Sequence, residues 1–481
     1  MKKITTLVLA FLTVTVSFSQ VFNTEISERF QKENAKDIYS IVFPSAYGFM
    51  TLHHLDNVMM DNTKAMVLTK YDQGMSAIET KTFNLPKLGL RAADLQEVIE
   101  IGDQLIFLST VMDKKSQKHQ VNAQVYNQKD NTISEHKVLA SFAIEKYSKS
   151  GFFNIAISPD KSKIAIFATM PFVKKTNEKA QIWVYDNNLN LVSEHAETLS
   201  FKSERAYNEA VFVDNSGTVY ISKTTDIYKK TRATHLLKYN GITIENTPLT
   251  TSEFQPMRMT LVDVNGQPML AGFFWNGKKG MIKVNSTEGN DNDGAFLYSL
   301  SENKLIGFHH WSESLNAKDL KSLEVADIKV IGDDIFMIGE KRLTKSEFRK
   351  VGNTVTNNLD YHYTFGASVI VNMDTKGTLK SFTSLLNGKN FTNEAKEKGS
   401  FSALYIENGL HVFTNNNYIT NYPFFTDNKP TFNRPSVRPN GASMPTSPYI
   451  IPHTVVTVPQ YNMAYYIINY GNDYWLTKMT W

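Results

Sequence analysis

One two-stranded unit recurs seven times along the chain, and it constrains the fold more than any other feature. Each copy has a β-rich stretch, a short turn of Gly, Asn, Asp or Pro, and a second β-rich stretch. This turn chemistry between β-branched flanks predicts β-hairpins. The predicted hairpins are Tyr39–Phe43 with Phe49–Leu52, Val98–Ile101 with Leu105–Leu108, Phe153–Ile157 with Ile164–Ala168, Ala210–Val213 with Val219–Ile221, Thr260–Val264 with Met269–Phe273, Ile328–Ile331 with Ile335–Ile338, and Ala403–Ile406 with Leu410–Phe413.

The spacing of the hairpins leaves roughly 50–75 residues for each repeat, which is room for four strands. A second pattern supports this count, because Gln124–Tyr126 is followed by Ile133–His136, and Trp183–Tyr185 by Val192–His195. These segments are predicted to be third and fourth strands. A four-stranded sheet buries both faces when it stacks on neighbours in a ring.

The sequence therefore predicts an all-β protein, a β-propeller of seven four-stranded blades, with residues 20–481 as a single domain. Closed β architectures reach such lengths as one unit. Two alternatives remain open at this point: a propeller with another number of blades, and another all-β fold such as two β-sandwich or jelly-roll domains.

One repeat resembles a known family. The stretch Phe153–Asp160, followed by Lys163–Ala165 and Ile182–Asp186, is similar to the repeat of TolB-like (WD40-like) β-propellers. The resemblance covers about one blade, and Lys161 stands where that repeat usually has glycine. It implies a periplasmic or extracellular protein of a kind that commonly binds protein partners.

The N-terminus has the pattern of a secretory signal peptide, predicted over residues 1–19. Lys2 and Lys3 precede an apolar run from Ile4 to Phe18, with small residues at Ser17 and Ser19. The ending resembles those common in exported proteins of the Bacteroidetes. Since the chain has no cysteine, the lipidated cysteine of a lipoprotein is excluded. We expect a periplasmic or secreted protein with no transmembrane segment in the mature chain.

Composition narrows the class of partner. The formal net charge is +4, and it falls to about +2 once Lys2 and Lys3 are removed. A balance this small argues against nucleic acid as a partner, because phosphate contacts need many cations. Apolar residues make up 42% of the chain and aromatic residues 12%, enough for a large core. The predicted partner is a protein or a glycan, and the oligomeric state stays open.

A proline-rich stretch near the C-terminus is predicted to be a long loop at about 418–450. Proline lacks the N–H that a strand ladder requires, so Asn421–Pro448 is predicted to be non-strand. Loops of this length are functional or disordered, and aromatic and Arg side chains dominate binding hot spots. Two interpretations remain: a binding arm over one propeller face, or a crossover packed on the last blade. The candidate binding residues are Tyr418, Tyr422, Phe424, Phe425, Phe432, Arg434, Arg438 and Tyr449.

No motif identifies catalytic residues, which stay unknown, and no cofactor is predicted. A loose calcium loop at Asp291 and Asp293 remains an alternative, although the helix–loop–helix ligand pattern fails there. The Ser-x-x-Lys spacing from Ser158 to Lys161 needs a helix for acyl-enzyme chemistry, and Pro159 and Asp160 indicate a turn instead.

The function predicted from the sequence is a non-enzymatic binding or scaffold protein of the cell envelope. The recognition surface is predicted to be one propeller face together with the 418–450 loop. The alternative is a glycan- or peptide-acting hydrolase or lyase with its site in the central channel. Inward carboxylates with raised pKa values in that channel favour the enzyme.

Overall fold

A computed structural model of the protein describes most of the chain, and nearly all of its regular structure is β-strand. The predicted signal peptide lies outside the described residues. Within the described part of the chain, no helix is both long and apolar enough to span a bilayer. The described residues are 23–27, 30–31, 37–57, 63–144, 151–171, 173–202, 206–227, 231–249, 254–275, 293–310, 323–351, 354–385, 389–392, 401–406, 409–416, 418–425, 449–451, 454–470 and 473–481.

The strands form antiparallel sheets that follow one another along the chain. Two N-terminal strands, β1 (Asn23–Ile26) and β2 (Phe30–Gln31), pair with the last strand of the chain. The first sheet contains β3 (Asp37–Ser45), β4 (Gly48–Asn57), β5 (Thr63–Asp72) and β6 (Ala77–Asn84). A two-stranded ladder follows, made of β7 (Lys87–Leu88) and β8 (Arg91–Ala92). The second sheet contains β9 (Asp94–Ile101), β10 (Gln104–Asp113), β11 (Lys118–Asn127), β12 (Thr132–Ile133) and β13 (Lys137–Ala143).

The next three sheets have four strands each. The third contains β14 (Phe152–Ile157), β15 (Lys163–Thr169), β16 (Asn177–Asp186) and β17 (Leu191–Lys202). The fourth contains β18 (Ala206–Val213), β19 (Val219–Ile227), β20 (Thr231–Tyr239) and β21 (Ile244–Pro248). The fifth contains β22 (Gln255–Val264), β23 (Gln267–Trp275), β24 (Gly294–Ser299) and β25 (Lys304–His310).

Three further sheets complete the series. The sixth contains β26 (Leu323–Ile331), β27 (Asp334–Val351), β28 (Thr354–Asp374), β29 (Leu379–Leu385) and β30 (Lys389–Thr392). The seventh contains β31 (Phe401–Ile406), β32 (Gly409–Asn416) and β33 (Tyr418–Phe425). The eighth joins β34 (Tyr449–Ile450), β35 (Val456–Val458), β36 (Met463–Tyr470) and β37 (Asp473–Thr480) to β1 and β2.

Buried apolar clusters join the sheets into a closed ring. Each cluster draws its side chains from two consecutive sheets, from the first and second through to the seventh and eighth. A further cluster closes the ring between the eighth sheet and the first, where the rings of Phe49 and Tyr465 lie 4.5 Å apart. The innermost strands β14, β18, β22 and β26 contact one another in succession, so they surround the axis. The chain is a β-propeller.

The predicted all-β propeller is confirmed, and all seven predicted hairpins are the first two strands of successive sheets. Seven sheets have four or more strands, as the prediction of seven four-stranded blades requires. The structure adds one three-stranded sheet, β31–β33, between the sixth and eighth sheets. It arises because the last predicted hairpin and the C-terminal strands β34 to β37 belong to two different sheets.

The two ends of the chain close the ring together. Strand β1 pairs with β37 from Asn23 opposite Thr480 to Ile26 opposite Thr477. The Ser27 N–H donates to the Leu476 carbonyl at 2.9 Å, and the Leu476 N–H donates to Ser27 Oγ at 3.0 Å. Because strands from both ends share one sheet, the outer edge of β37 is covered by β1 and β2.

In five sheets, an Asp or Asn that ends the third strand or directly follows it folds the next turn. The side-chain oxygens accept backbone N–H groups two to four residues ahead, at 2.9–3.0 Å, which is the Asx-turn pattern. Tyr precedes the Asp or Asn in four of them. The five residues are Asp72, Asn127, Asp186, Asn240 and Asp374.

The predicted 418–450 loop is wrong at its start, because residues 418–425 form strand β33. This strand pairs with β32, and Pro423 lies opposite His411. In the described part of the chain β33 has a neighbouring strand on its β32 side alone. Proline is tolerated on an edge strand, where its missing N–H faces away from the ladder.

Candidate functional site

The propeller has two ends that differ in their connections. The turns between first and second strands define what we call the hairpin end. The connections between second and third strands define the opposite end, called the ribbon end. The long hairpin of β27 and β28 leaves the propeller at the ribbon end.

This hairpin extends far beyond its sheet. Strand β26 pairs with β27 as far as Lys341, but β27 and β28 continue to pair from Arg342 opposite Phe365 to Val351 opposite Thr354. The extension, called the arm (residues 342–365), holds about ten residues per strand, or about 30 Å of extended backbone. Strand β30 pairs with its base at His362–Phe365 and braces it.

Seven residues, one from each of seven sheets, lie at one level on the innermost strands. Each of these residues pairs with a second-strand residue. That residue in turn pairs with a third-strand residue three positions before the Tyr, Met or Phe near the end of the third strand. Six of the seven are polar. This set, called the polar ring, consists of Ser40, Glu97, Asn154, Ala210, Arg258, Asp327 and Ser402.

One ladder step nearer the hairpin end, all seven innermost strands carry an apolar residue. Ile41 and Met259 are buried, and the other five residues at this level are half-buried. This set is called the apolar belt. It consists of Ile41, Val98, Ile155, Val211, Met259, Ile328 and Ala403. All seven belong to, or pack against, the apolar clusters between neighbouring sheets.

Five innermost strands bulge directly beyond the polar ring, towards the ribbon end. In each, the register shifts by one residue after the polar-ring position. A β-bulge re-aims side chains and bends the strand, and bulges are frequent beside functional sites. The inserted residues are Tyr39, Gln96, Glu209, Met257 and Ala326.

Two carboxyl groups of the polar ring, those of Glu97 and Asp327, have different surroundings. Burial raises the pKa of the Glu97 carboxyl above its ordinary value. Asp327 pairs with Lys329 of the same strand at 3.1 Å. The Oγ atoms of Ser40 and Ser402 are buried and have no hydrogen-bond partner among the described residues.

A buried polar network links the polar ring to the space between the third and fourth sheets. Asn208 Nδ2 donates to Asn154 Oδ1 at 2.9 Å and to Thr169 Oγ1 at 3.2 Å. Lys223 Nζ donates to Asn208 Oδ1 at 2.9 Å and to Glu178 Oε1 at 2.8 Å. The Lys223 and Glu178 side chains are 0% and 1% exposed. The network therefore fixes Asn154 through a fully buried ion pair.

Opposing effects act on the Lys223 ammonium. Burial lowers its pKa below the ordinary value, while the charge and hydrogen bond of Glu178 act in the opposite direction. The second carboxylate oxygen of Glu178 has no partner among the described residues. The ion pair is thus formed at a high desolvation cost.

Five of the eight predicted binding residues lie on two strands that contact each other, β33 and β34. Tyr418, Tyr422, Phe424 and Phe425 lie on β33, and backbone register sets Tyr422 opposite Val412. Tyr449 begins β34, opposite Asn469. Phe432, Arg434 and Arg438 lie outside the described residues, so a binding role for this set stays a prediction.

The predicted turn at Ser158–Lys161 is confirmed. Ser158 Oγ donates to Asp160 Oδ1 at 2.7 Å and accepts the Lys163 N–H at 2.9 Å. Lys161 has a φ of 59°, in the left-handed region that favours glycine. This explains physically why the resembled repeat usually has glycine there.

The calcium loop stays a prediction, since Asp291 lies outside the described residues and Asp293 contributes its N–H to the Phe274 carbonyl at 2.8 Å. Among the residues that the structure describes, no group of three or more His, Asp or Glu is arranged to hold a metal ion.

Sequence reasoning missed the polar ring, although a signal for it exists. In six of the seven hairpins a polar residue directly precedes an apolar residue at the same place in the first strand, as in Glu97-Val98 and Asp327-Ile328. Aligning the hairpins by their turns alone misses the level, because turn lengths differ. The Tyr at the end of the third strand, or one residue before its end, gives the correct alignment in five sheets.

No protein-family model and no curated protein matches this chain. The solved structures that are similar include the β-propeller domain of the Trilobed protease from Pyrococcus furiosus, at 10% identity and a TM-score of 0.40, covering 85% of this chain and 99% of that chain. The acylaminoacyl peptidase of Pyrococcus horikoshii is 11% identical, with a TM-score of 0.38, covering 93% of this chain and 60% of that chain. The N-terminal domain of Nup159 is 10% identical, with a TM-score of 0.33 and 96% of both chains covered. Nothing about function follows from likenesses at this level.

Proposed function

We propose that the protein is a non-enzymatic binding or scaffold protein, exported to the periplasm or beyond, that recognises a protein partner with the ribbon end of its propeller. The arm is the observation that carries this proposal. A two-stranded extension of about 30 Å continues beyond the last residue that pairs with β26, and its base is braced by β30.

Charge favours an acidic partner surface. The outgoing strand of the arm and its first flanking residue contain five cations and one Glu. Complementary charge raises association rates and specificity more than affinity. The residues are Lys341, Arg342, Lys345, Glu347, Arg349 and Lys350.

Crosslinking in cells followed by pull-down of the tagged protein tests this function. In an arm-less variant, an Asn-Gly turn replaces residues 343–364 and joins Arg342 to Phe365, which already lie opposite each other. We expect one specific partner with the wild type and its loss with the arm-less variant. A second variant lacking residues 426–448 tests whether the proline-rich segment contributes.

Two double variants that each remove two lysine charges supply the test and its matched control. Lys345→Ser with Lys350→Ser weakens capture, and more salt weakens it further. Lys129→Ser with Lys376→Ser removes the same charge from turns at the hairpin end and leaves capture unchanged. Equal capture by the wild type and the arm-less variant contradicts the proposal.

A glycan- or peptide-acting hydrolase or lyase is the second candidate function, and Glu97 is the observation that favours it. A carboxyl whose pKa is raised by burial is suited to donate a proton. Turnover of nitrophenyl glycosides or fluorogenic peptides that disappears in Glu97→Gln establishes the enzyme. Turnover that survives in Glu97→Gln removes this assignment.

A further inference from the structure

The ribbon-end connections of the second and third sheets are rich in lysine. Residues 113–118 form the turn from β10 to β11, and residues 169–179 form the connection from β15 to β16. Six lysines lie in these two segments, and all six are exposed. This set, called the lysine patch, consists of Lys114, Lys115, Lys118, Lys174, Lys175 and Lys179.

The same two segments contain two carboxylates, and both are buried. Asp113 is 7% exposed and accepts the Ser116 N–H at 2.7 Å, which holds the turn. Glu178 is 1% exposed and pairs with the buried Lys223 at 2.8 Å. Carboxylates of these segments therefore do not neutralise the six ammonium groups, and a ligand that brings negative charge gains from them.

The two lysine segments lie side by side, because the second and third sheets pack directly on each other. Met112 and Met170 flank or begin the two segments, and both pack against the same buried cluster. The ring of His119, directly after Lys118, lies 4.8 Å from the ring of Phe153 in the third sheet. The lysine patch is thus one surface that spans two sheets.

Two exposed apolar side chains accompany the cations. Val173 is 56% exposed within the second lysine segment. Leu90 is 80% exposed at the turn between β7 and β8, directly before the exposed Arg91. A Cβ on the neighbouring Gly89 would lie 3.1 Å from Asp113 Oδ2, so this turn borders the lysine patch.

We propose that the lysine patch is a docking surface for an acidic polypeptide segment. Carboxylates of the segment lie on the ammonium groups, and its apolar side chains lie on Val173 and Leu90. The arm belongs to the sixth sheet, across the ring from the patch. Docking does not require the arm, so it holds or fails independently of the proposed function.

The surroundings of the patch favour a polypeptide over other polyanions. An acidic polypeptide can carry apolar side chains among its carboxylates, which a sulfated or uronic glycan lacks. A flat anionic bilayer is disfavoured, because the charged arm extends about 30 Å from the same end of the propeller. Charged side chains do not enter the hydrocarbon layer at low cost.

Fluorescence anisotropy of the purified full-length protein with labelled peptides tests this surface. The probe is a twelve-residue peptide that repeats Glu-Glu-Leu, and we expect a Kd of about 10 μM at low salt. Raising NaCl from about 50 to about 300 mM weakens binding at least tenfold, because salt screens exposed charges. A peptide that repeats Glu-Glu-Ser binds at least threefold more weakly, since it lacks apolar contacts. The arm-less variant binds both peptides as the wild type does.

Two fourfold Lys→Ser variants locate the binding. The first removes four charges from the lysine patch and weakens binding at least tenfold. The second removes four exposed lysines at the hairpin end and leaves the Kd within twofold of the wild type. Leu90→Ser with Val173→Ser removes the preference for the leucine peptide. The substituted lysines are Lys114, Lys115, Lys174 and Lys175 in the first variant, and Lys70, Lys129, Lys304 and Lys376 in the second.

Thermal unfolding of each variant separates a lost surface from a lost fold. If the first variant does not fold, Lys115→Glu with Lys174→Glu replaces it in the same titration. The proposal is overturned if the wild type does not bind the leucine peptide, or if the folded patch variant binds it as tightly as the hairpin-end variant does. Tighter binding of a heparin oligosaccharide or of phosphatidylglycerol vesicles than of the peptide also overturns it, because a glycan or a bilayer is then the occupant.

Discussion

Removing one partner of the Lys223–Glu178 ion pair is expected to destabilise the propeller far more than removing both. Their charged atoms lie 2.8 Å apart with both side chains fully buried. At an effective dielectric constant of about 20 their attraction is about 6 kcal/mol. Desolvation of two ions opposes this attraction by several kcal/mol each, so the net value of the pair is small.

The single variants leave one buried charge uncompensated. Lys223→Met and Glu178→Met are each expected to cost about 3–5 kcal/mol. The double variant is expected within about 1 kcal/mol of the wild type, because apolar side chains of similar volume replace the pair. A double-mutant cycle then gives a coupling energy of several kcal/mol.

Differential scanning calorimetry measures the effect. The unfolding entropy of a chain this long is about 1 kcal/mol per degree, so each single variant lowers Tm by about 3–5 °C. Glu178→Gln is the matched control, because it keeps the shape and tests the charge alone. Additive single effects, or a double variant less stable than both singles, refute the reasoning.

The pH dependence of the same pair has a defined sign. The folded-state pKa of Lys223 lies below its ordinary value, so the unfolded chain binds more protons between the two values. Stability from this group therefore rises as pH increases through that window towards 10.5. Lys223→Met removes this rise, which urea unfolding at pH 7 to pH 10 measures.

Three further outcomes are expected. Burial lowers the pKa of His119 from 6.5 to about 4, so its contribution to stability falls as pH drops from 6.5 to 4; His119→Phe flattens a plot of urea midpoint against pH in that range. A Cβ on Gly307 clashes with the Gly377 backbone, so Gly307→Ala lowers stability by about 1–3 kcal/mol in urea unfolding. Truncation of residues 475–481 removes most of the strand between β1 and β36, and abolishes cooperative thermal unfolding; an unchanged Tm contradicts this role.

The sequence predicts more of the fold than of the candidate site. The hairpins, and the turn at Ser158–Lys161, depend on local chemistry and were predicted correctly. The prediction of a loop at 418–450 rests on its prolines alone. It is wrong for residues 418–425, because Pro423 lies on an edge strand, which tolerates proline. The arm escaped prediction, because strand-forming residues indicate that a strand exists and not that it continues beyond its sheet.

The sequence by itself determined that this chain folds into successive antiparallel sheets. Alternating side chains and turn residues act over a few positions, so they can be read without knowing the neighbours. Only the tertiary structure decided how the ring closes, which levels coincide around its axis, and that Lys223 meets Glu178. Those features join residues from 45 to 449 positions apart, and they depend on the packing of whole sheets, for which no local pattern carries the information.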